Sequence, residues 1–215
     1  MATRTSYAPG TPCWVDLGSP DLDGSARFYG EVLGWRREDL GPEAGGYSLF
    51  HLGEARVAGL GPLPSPDVPP SWTVYVQTTD LEATSAKVVE AGGTVVVPPM
   101  EVMEDGSMAV YLDPQGSPVS AWQPDQFAGA ELVNDVGAFA WNELASVDLA
   151  ASDAFYGTVF GWSRSPEGVY ELDGTVICGA HQAGDGEPPF WSIWFTVADC
   201  DASVATATEL GATVV

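Results

Sequence analysis

Residues 14–35 read WVDLGSPDLDGSARFYGEVLGW, and residues 141–162 read WNELASVDLAASDAFYGTVFGW. The two align without a gap and share Trp14/Trp141, Leu17/Leu144, Asp21/Asp148, the triplets Phe28-Tyr29-Gly30 and Phe155-Tyr156-Gly157, and the closing Gly34-Trp35 and Gly161-Trp162. Similarity of this length within one chain marks an internal duplication, and a duplication dictates architecture before any single element does. A second pair of blocks follows: PPSWTVYVQTTDLEATSAKVVEAGGTVV at 69–96 returns as PPFWSIWFTVADCDASVATATELGATVV at 188–215.

Each block has the same local grammar. Residues 13–18 are a short apolar strand. Asp21 stands where a helix N-cap belongs, and Ala26, Tyr29, Val32 and Leu33 follow at the spacing of one apolar helix face. Gly34 ends that helix as a left-handed cap. Strands then follow over 47–52 and 55–60. From residue 71 the order starts again: strand 72–78, helix 80–91, and strands near 94–97, 108–113 and 118–122. The turn Asp113-Pro114-Gln115-Gly116 separates the last two. The segment PLPSPDVPP at 62–70 is a stiff connection between the two units. The expected domains are therefore 12–123, holding two β-α-β-β-β units, a polar connector at 124–138, and 139–215, a second domain that is incomplete because Val215 corresponds to Val96.

Composition narrows the function. Seven basic residues stand against 30 acidic ones in 215, a formal net charge of −23. Such a surface repels phosphate backbones and anionic lipid, so neither nucleic acid nor a membrane is an expected partner. No run of 18 apolar residues exists to span a bilayer. Cys13, Cys178 and Cys200 form neither a disulfide framework nor a Cys-x-x-Cys pair, which points to a reducing, cytoplasmic compartment. Self-association as a homo-oligomer is left open.

The blocks Asp21-Leu22, Phe28-Tyr29 and Leu33-Gly34, their copies Asp148-Leu149, Phe155-Tyr156 and Phe160-Gly161, and the ending Leu112-Asp113-Pro114-Gln115-Gly116 resemble the vicinal oxygen chelate superfamily, which includes glyoxalase, bleomycin-resistance and extradiol-dioxygenase proteins. The nearest type is the tandem glyoxalase-like protein of actinobacteria. The resemblance implies an α+β fold in which tandem β-α-β-β-β units form two domains, their mixed sheets curled around a cleft. Metal enzymes of that superfamily carry ligands on the first and last strands of the units. Here those positions fall at or beside Trp14 and Trp141, at Trp72-Thr73 and Trp191-Ser192, and near Ser120. Indole cannot bind a divalent cation and one serine makes a weak site, so neither metal nor other cofactor is expected.

The remaining candidates are few. In a strand, residues two apart face the same side, so Asp16 shares a face with Trp14, and Glu143 with Trp141. Trp72 and Trp191 open the equivalent strands of the second units. These six residues, Trp14, Asp16, Trp72, Trp141, Glu143 and Trp191, are the expected ligand contacts. An aromatic wall with one acceptor suits a small planar molecule bearing a hydroxyl or an amine. Glu143 and Asp16 are also the candidate acid/base groups if the chain is an enzyme. His51 and His181, the only histidines, occupy non-equivalent repeat positions and share no expected site. The functional expectation is binding of a small, largely apolar aromatic molecule in a metal-free cleft, in resistance or natural-product metabolism. The alternatives are an enzyme of secondary metabolism using a cleft carboxylate, and an accessory protein without activity.

Overall fold

The computed structural model describes residues 3–215. Its first half runs β1 (Pro12–Ser19), α1 (Leu22–Leu33), β2 (Arg36–Asp39), β3 (Ser48–Leu52), β4 (Ala55–Pro62), β5 (Ser71–Gln77), α2 (Leu81–Glu90), β6 (Thr94–Val102), β7 (Gly106–Leu112) and β8 (Pro118–Pro124). The order then repeats as β9 (Phe139–Ser146), α3 (Leu149–Phe160), β10 (Ser163–Arg164), β11 (Val169–Leu172), β12 (Thr175–Gln182), β13 (Phe190–Phe195) and α4 (Cys200–Glu209). The helix signals work as read. The Asp21 and Asp148 carboxylates accept from Gly24 N and Ala151 N at 2.9 and 3.1 Å, and Gly34 and Gly161 close their helices at φ 76° and 79°.

The strands form two mixed sheets. Sheet A is ordered β2-β3-β4-β1-β5-β8-β7-β6, and sheet B β10-β11-β12-β9-β13. The expectation of sheets curled around a cleft is corrected here, because both are open ladders that end on unpaired edges. Sheet A could close only by joining β2 to β6. Strand β2 is four residues, Arg36 to Asp39, all charged, and β6 carries Pro98-Pro99 within a register shift between Val97 and Met100, so neither offers a continuous hydrogen-bonding edge. The functional face is therefore one side of an open sheet.

Alternation along the strands sorts side chains between two environments. Val15, Leu17, Leu60, Val74 and Val76 are buried on the side of sheet A that carries α1 and α2, while Trp14 and Tyr75 cluster on the other side with Trp122 and Phe127. Sheet B turns its helix-bearing side to the same interior. Phe155, Tyr156, Leu144 and Trp191 share one core with Val74, Leu81 and Tyr111, and Phe195 packs against Tyr29, Trp35 and Trp72 at 5.1 to 6.5 Å between ring centroids. The helix-free faces of both sheets thus lie on the sides away from this shared core, and that of sheet A carries a buried cluster of its own.

Two reciprocal bonds lock the halves. Trp35 Nε1 donates to Gly137 O and Trp162 Nε1 to Gly10 O, each at 2.6 Å. Gly10 and Gly137 sit at φ 84° and 83°, and a Cβ would fall 2.6 Å from Phe160 O and 2.8 Å from Leu33 O respectively, so only glycine fits. The repeat thus carries its interface with it. Gln115, in the Asp-Pro-Gln-Gly turn, crosses between the halves as well: its amide nitrogen donates to Asp148 O and Ser152 Oγ, and its oxygen accepts from Asp148 N and Ser146 Oγ. The segment 124–138, expected to be a polar connector, is packed, with Phe127, Ala130 and Leu132 all buried. Arg56 lies over the Phe127 ring at 4.0 Å and pairs with Glu131 at 2.8 Å, which holds that segment to sheet A.

Candidate functional site

Strand β1 lies at the centre of sheet A, parallel to β4 and antiparallel to β5. The register sets Trp14 beside Tyr75, Asp16 beside both Thr73 and Gly59, and Leu17 beside Trp72. Trp14, Asp16, Thr73 and Tyr75 therefore share the helix-free face, and Ser120 joins them opposite Tyr75 in the β5–β8 pairing.

Asp16 is the polar centre of this face. Its Oδ2 accepts from Tyr75 OH at 2.7 Å and from Tyr47 OH at 3.2 Å, and Tyr47 OH in turn accepts from Trp14 Nε1 at 3.2 Å. Tyr47 reaches Asp16 by lying across β4, where a side chain at Gly59 would occupy the space of its phenol. Burial pushes the Asp16 carboxyl up to about 6, against the opposing pull of hydrogen bonds from Tyr75, Tyr47 and Thr73. Desolvation and the adjacent Asp16 charge together raise Tyr47 and Tyr75 well above the ordinary phenol value. Met108 and Trp122 extend the surface; Met108 Sδ lies 4.0 Å from Tyr75 OH, and the fully buried Ser120 hydroxyl has no well-formed hydrogen bond. A half-buried carboxylate, two phenols, a spare hydroxyl and an indole on one apolar face can orient a planar ligand by one or two polar groups.

Sheet B repeats the plan with different chemistry. Trp141 pairs with Trp194, Glu143 with Ser192 and Gly179, and Leu144 with Trp191. Glu143 Oε1 lies 3.5 Å from His181 Nδ1.

Four of the six expected contacts are thus on helix-free faces: Trp14 with Asp16, and Trp141 with Glu143. Trp72 and Trp191 are not brought to them. Both fall on the helix side, Trp72 donating to Tyr29 OH at 3.1 Å and Trp191 packed edge-on to Tyr156 at 5.7 Å. Their strand neighbours Thr73 and Tyr75, Ser192 and Trp194 occupy the outer face instead. Tyr47 was not foreseen; the only trace of it is the Gly59-x-Gly61 pair that makes room for its ring. His51 is buried against Glu38 at 2.7 Å, away from Asp16. Two cavities, of about 480 and about 260 Å³, lie elsewhere, at the start of α2 and between α1 and α4.

Residues 13–120 match the Glyoxalase/Bleomycin resistance protein/Dioxygenase superfamily. The chain belongs to that superfamily. It is 35% identical over 234 residues to the anthracycline biosynthesis protein DauV of Streptomyces sp. (strain C5), covering 98% of this chain and 85% of that protein. DnrV of Streptomyces peucetius, also an anthracycline biosynthesis protein, is 35% identical over the same shares. Among solved structures, the Mn(II)-bound glyoxalase from Novosphingobium aromaticivorans superposes with a TM-score of 0.63 at 16% identity, over 94% of this chain and 69% of that one. At that identity the likeness is one of fold.

The residues here do not make a site for a metal such as the Mn(II) of that glyoxalase. The positions at which the superfamily resemblance implies ligands present an indole at Trp14 and hydroxyls at Thr73 and Ser120, none of them a good donor to a divalent ion. Among the described residues no group of three or more His, Cys, Asp or Glu side chains could hold a metal ion. Nor, among them, is any helix long and apolar enough to cross a membrane. Among the described residues, the superfamily cleft is represented by faces with buried aromatic clusters and no metal-binding set.

Proposed function

We propose that the helix-free face of sheet A binds a planar, largely apolar polycyclic aromatic molecule that presents a hydroxyl or an amine to Asp16, in natural-product metabolism. The observation that carries this reading is the Asp16 carboxylate held by Tyr47 and Tyr75 beside Trp14. An amine or hydroxyl donated to that carboxylate forms a charge-assisted bond, and the aromatic surround favours a flat ring system. Two relatives with anthracycline biosynthesis in their names support the choice of ring system. The test is titration with a tetracyclic aminoglycosylated quinone and with its aglycone, following tryptophan quenching and the mass of the recovered ligand. Micromolar quenching that Asp16→Asn weakens, with ligand mass unchanged, supports the reading; quenching that Asp16→Asn leaves untouched refutes it.

A second reading, conversion of the ligand by Asp16 as acid/base, is favoured by one observation: a carboxyl at about 6 is shared between its two protonation states near neutral pH. It requires a mass change in the recovered ligand that Asp16→Asn abolishes.

A further inference from the structure

The two copies differ at equivalent positions. In sheet A the carboxylate is enclosed by phenols. Tyr47 lies two residues before Leu49, the partner of Gly59; in sheet B the partner of Gly179 is Val169, and two residues before it stands Glu167, exposed. Tyr75 is replaced by Trp194, which is 54% exposed, and Thr73 by Ser192. Gly61 is replaced by His181, through the matching registers Gly18–Gly61 and Ala145–His181. No phenol covers Glu143, and an imidazole has been added beside it.

The bare backbone of Gly179 lies beneath both Trp141 and Glu143. A Cβ there would lie 3.1 Å from Trp141 Nε1 and 3.1 Å from Glu143 Oε1, so an indole donor and a carboxylate converge above the same glycine. The His181 Nδ1 side faces Glu143 at 3.5 Å, with the two side chains 46% and 29% exposed, which leaves Nε2 to a ligand. Ser192 Oγ accepts from Trp194 Nε1 at 3.3 Å, which ties that indole to the same face.

We propose that the outer face of sheet B is a second ligand site, in which the His181–Glu143 pair takes the proton of an acidic aromatic hydroxyl seated by Trp141 and Trp194. The phenol O–H proton passes to His181 Nε2. The imidazolium donates its Nδ1–H to Glu143, and the phenolate oxygen is left to accept from Trp141 Nε1–H. A carboxylate beside Nδ1 fixes the tautomer in which that nitrogen carries its hydrogen and Nε2 is free to accept a proton. The inference rests on the reading that these helix-free faces bind aromatic molecules, but it assigns a separate site with separate chemistry.

The probe is 1,2-dihydroxyanthraquinone, whose visible band moves to longer wavelength on ionisation. With the 215-residue chain, bound dye should show the anion band at a pH where free dye is neutral. His181→Asn should shift the ionisation constant of the bound dye about tenfold toward the neutral form, Glu143→Gln should shift it in the same direction, and Asp16→Asn should leave the band in place. Far-ultraviolet circular dichroism and melting midpoints check that each variant is folded. An anion band unchanged in folded His181→Asn, or one lost only in Asp16→Asn, overturns the second site while leaving the Asp16 reading intact. No quenching of the unsubstituted chain by dye overturns both.

Discussion

Replacing Asp16 by asparagine should stabilise the protein at neutral pH relative to acid pH, by an amount that the structure sets. Unfolded, this carboxyl titrates near 3.8; folded, burial raises it to about 6. Between those two values the folded state holds a proton that the unfolded state has lost. Stability contributed by this group is therefore fully present below pH 3.8 and lost as pH rises through 6. At 1.36 kcal/mol per pH unit the whole loss is about 3 kcal/mol. Asparagine is neutral throughout, so the variant escapes it. Urea denaturation of both proteins from pH 4 to pH 7.5 gives the difference in unfolding free energy at each pH, and the titration of every other carboxylate cancels in that difference. The constant offset from replacing the hydrogen bonds to Tyr47 and Tyr75 is of either sign and does not matter. The difference should move in favour of Asp16→Asn by about 1.4 kcal/mol per pH unit between pH 4 and 6, then level off. A difference flat within about 0.5 kcal/mol over that range would show that Asp16 is not held in the desolvated environment argued above. The group that centres the proposed binding face would then be an ordinary surface acid.

Gly59→Ala should displace Tyr47 from Asp16 and cost about 1–3 kcal/mol by overpacking, read as a lower denaturation midpoint, whereas Gly41→Ala, where nothing lies within 4 Å, should show only the strain of its positive φ. Trp35→Phe and Trp162→Phe each remove a 2.6 Å bond to a glycine carbonyl and should destabilise by similar amounts, about 1–3 kcal/mol each; losses differing by more than about twofold would contradict an equivalent interface. Gln115→Ala removes four hydrogen bonds at the start of α3 and should cost about 1–2 kcal/mol, with amide exchange accelerated at Ala151 and Ser152 ahead of the rest of the helix.

Much of the fold was legible because its signals are local. The N-caps Asp21 and Asp148, the closing Gly34 and Gly161 and the Asp-Pro-Gln-Gly turn act within a few residues, so order along the chain suffices to read them. The gapless repeat adds that the two copies share their local elements, and the structure shows the reciprocal Trp35/Gly137 and Trp162/Gly10 bonds that this symmetry permits. Period-two alternation likewise put Trp14 with Asp16 and Trp141 with Glu143. What alternation leaves undecided is which of two faces carries the helices, and a one-residue difference in phase reverses the answer. That is why Trp72 and Trp191 fall on the helix-bearing side while Tyr75 and Trp194 fall on the helix-free side. The openness of the sheets depended on the edges, where Pro98-Pro99 and the charged β2 prevent pairing. Residues that meet only through strand register belong to tertiary structure alone: Tyr47 reaches Asp16 across Gly59, and His181 meets Glu143 across two parallel strands. Sequence order sets which side chains are neighbours along a strand, but the chemistry of these faces is made between strands, and only packing brings those partners together.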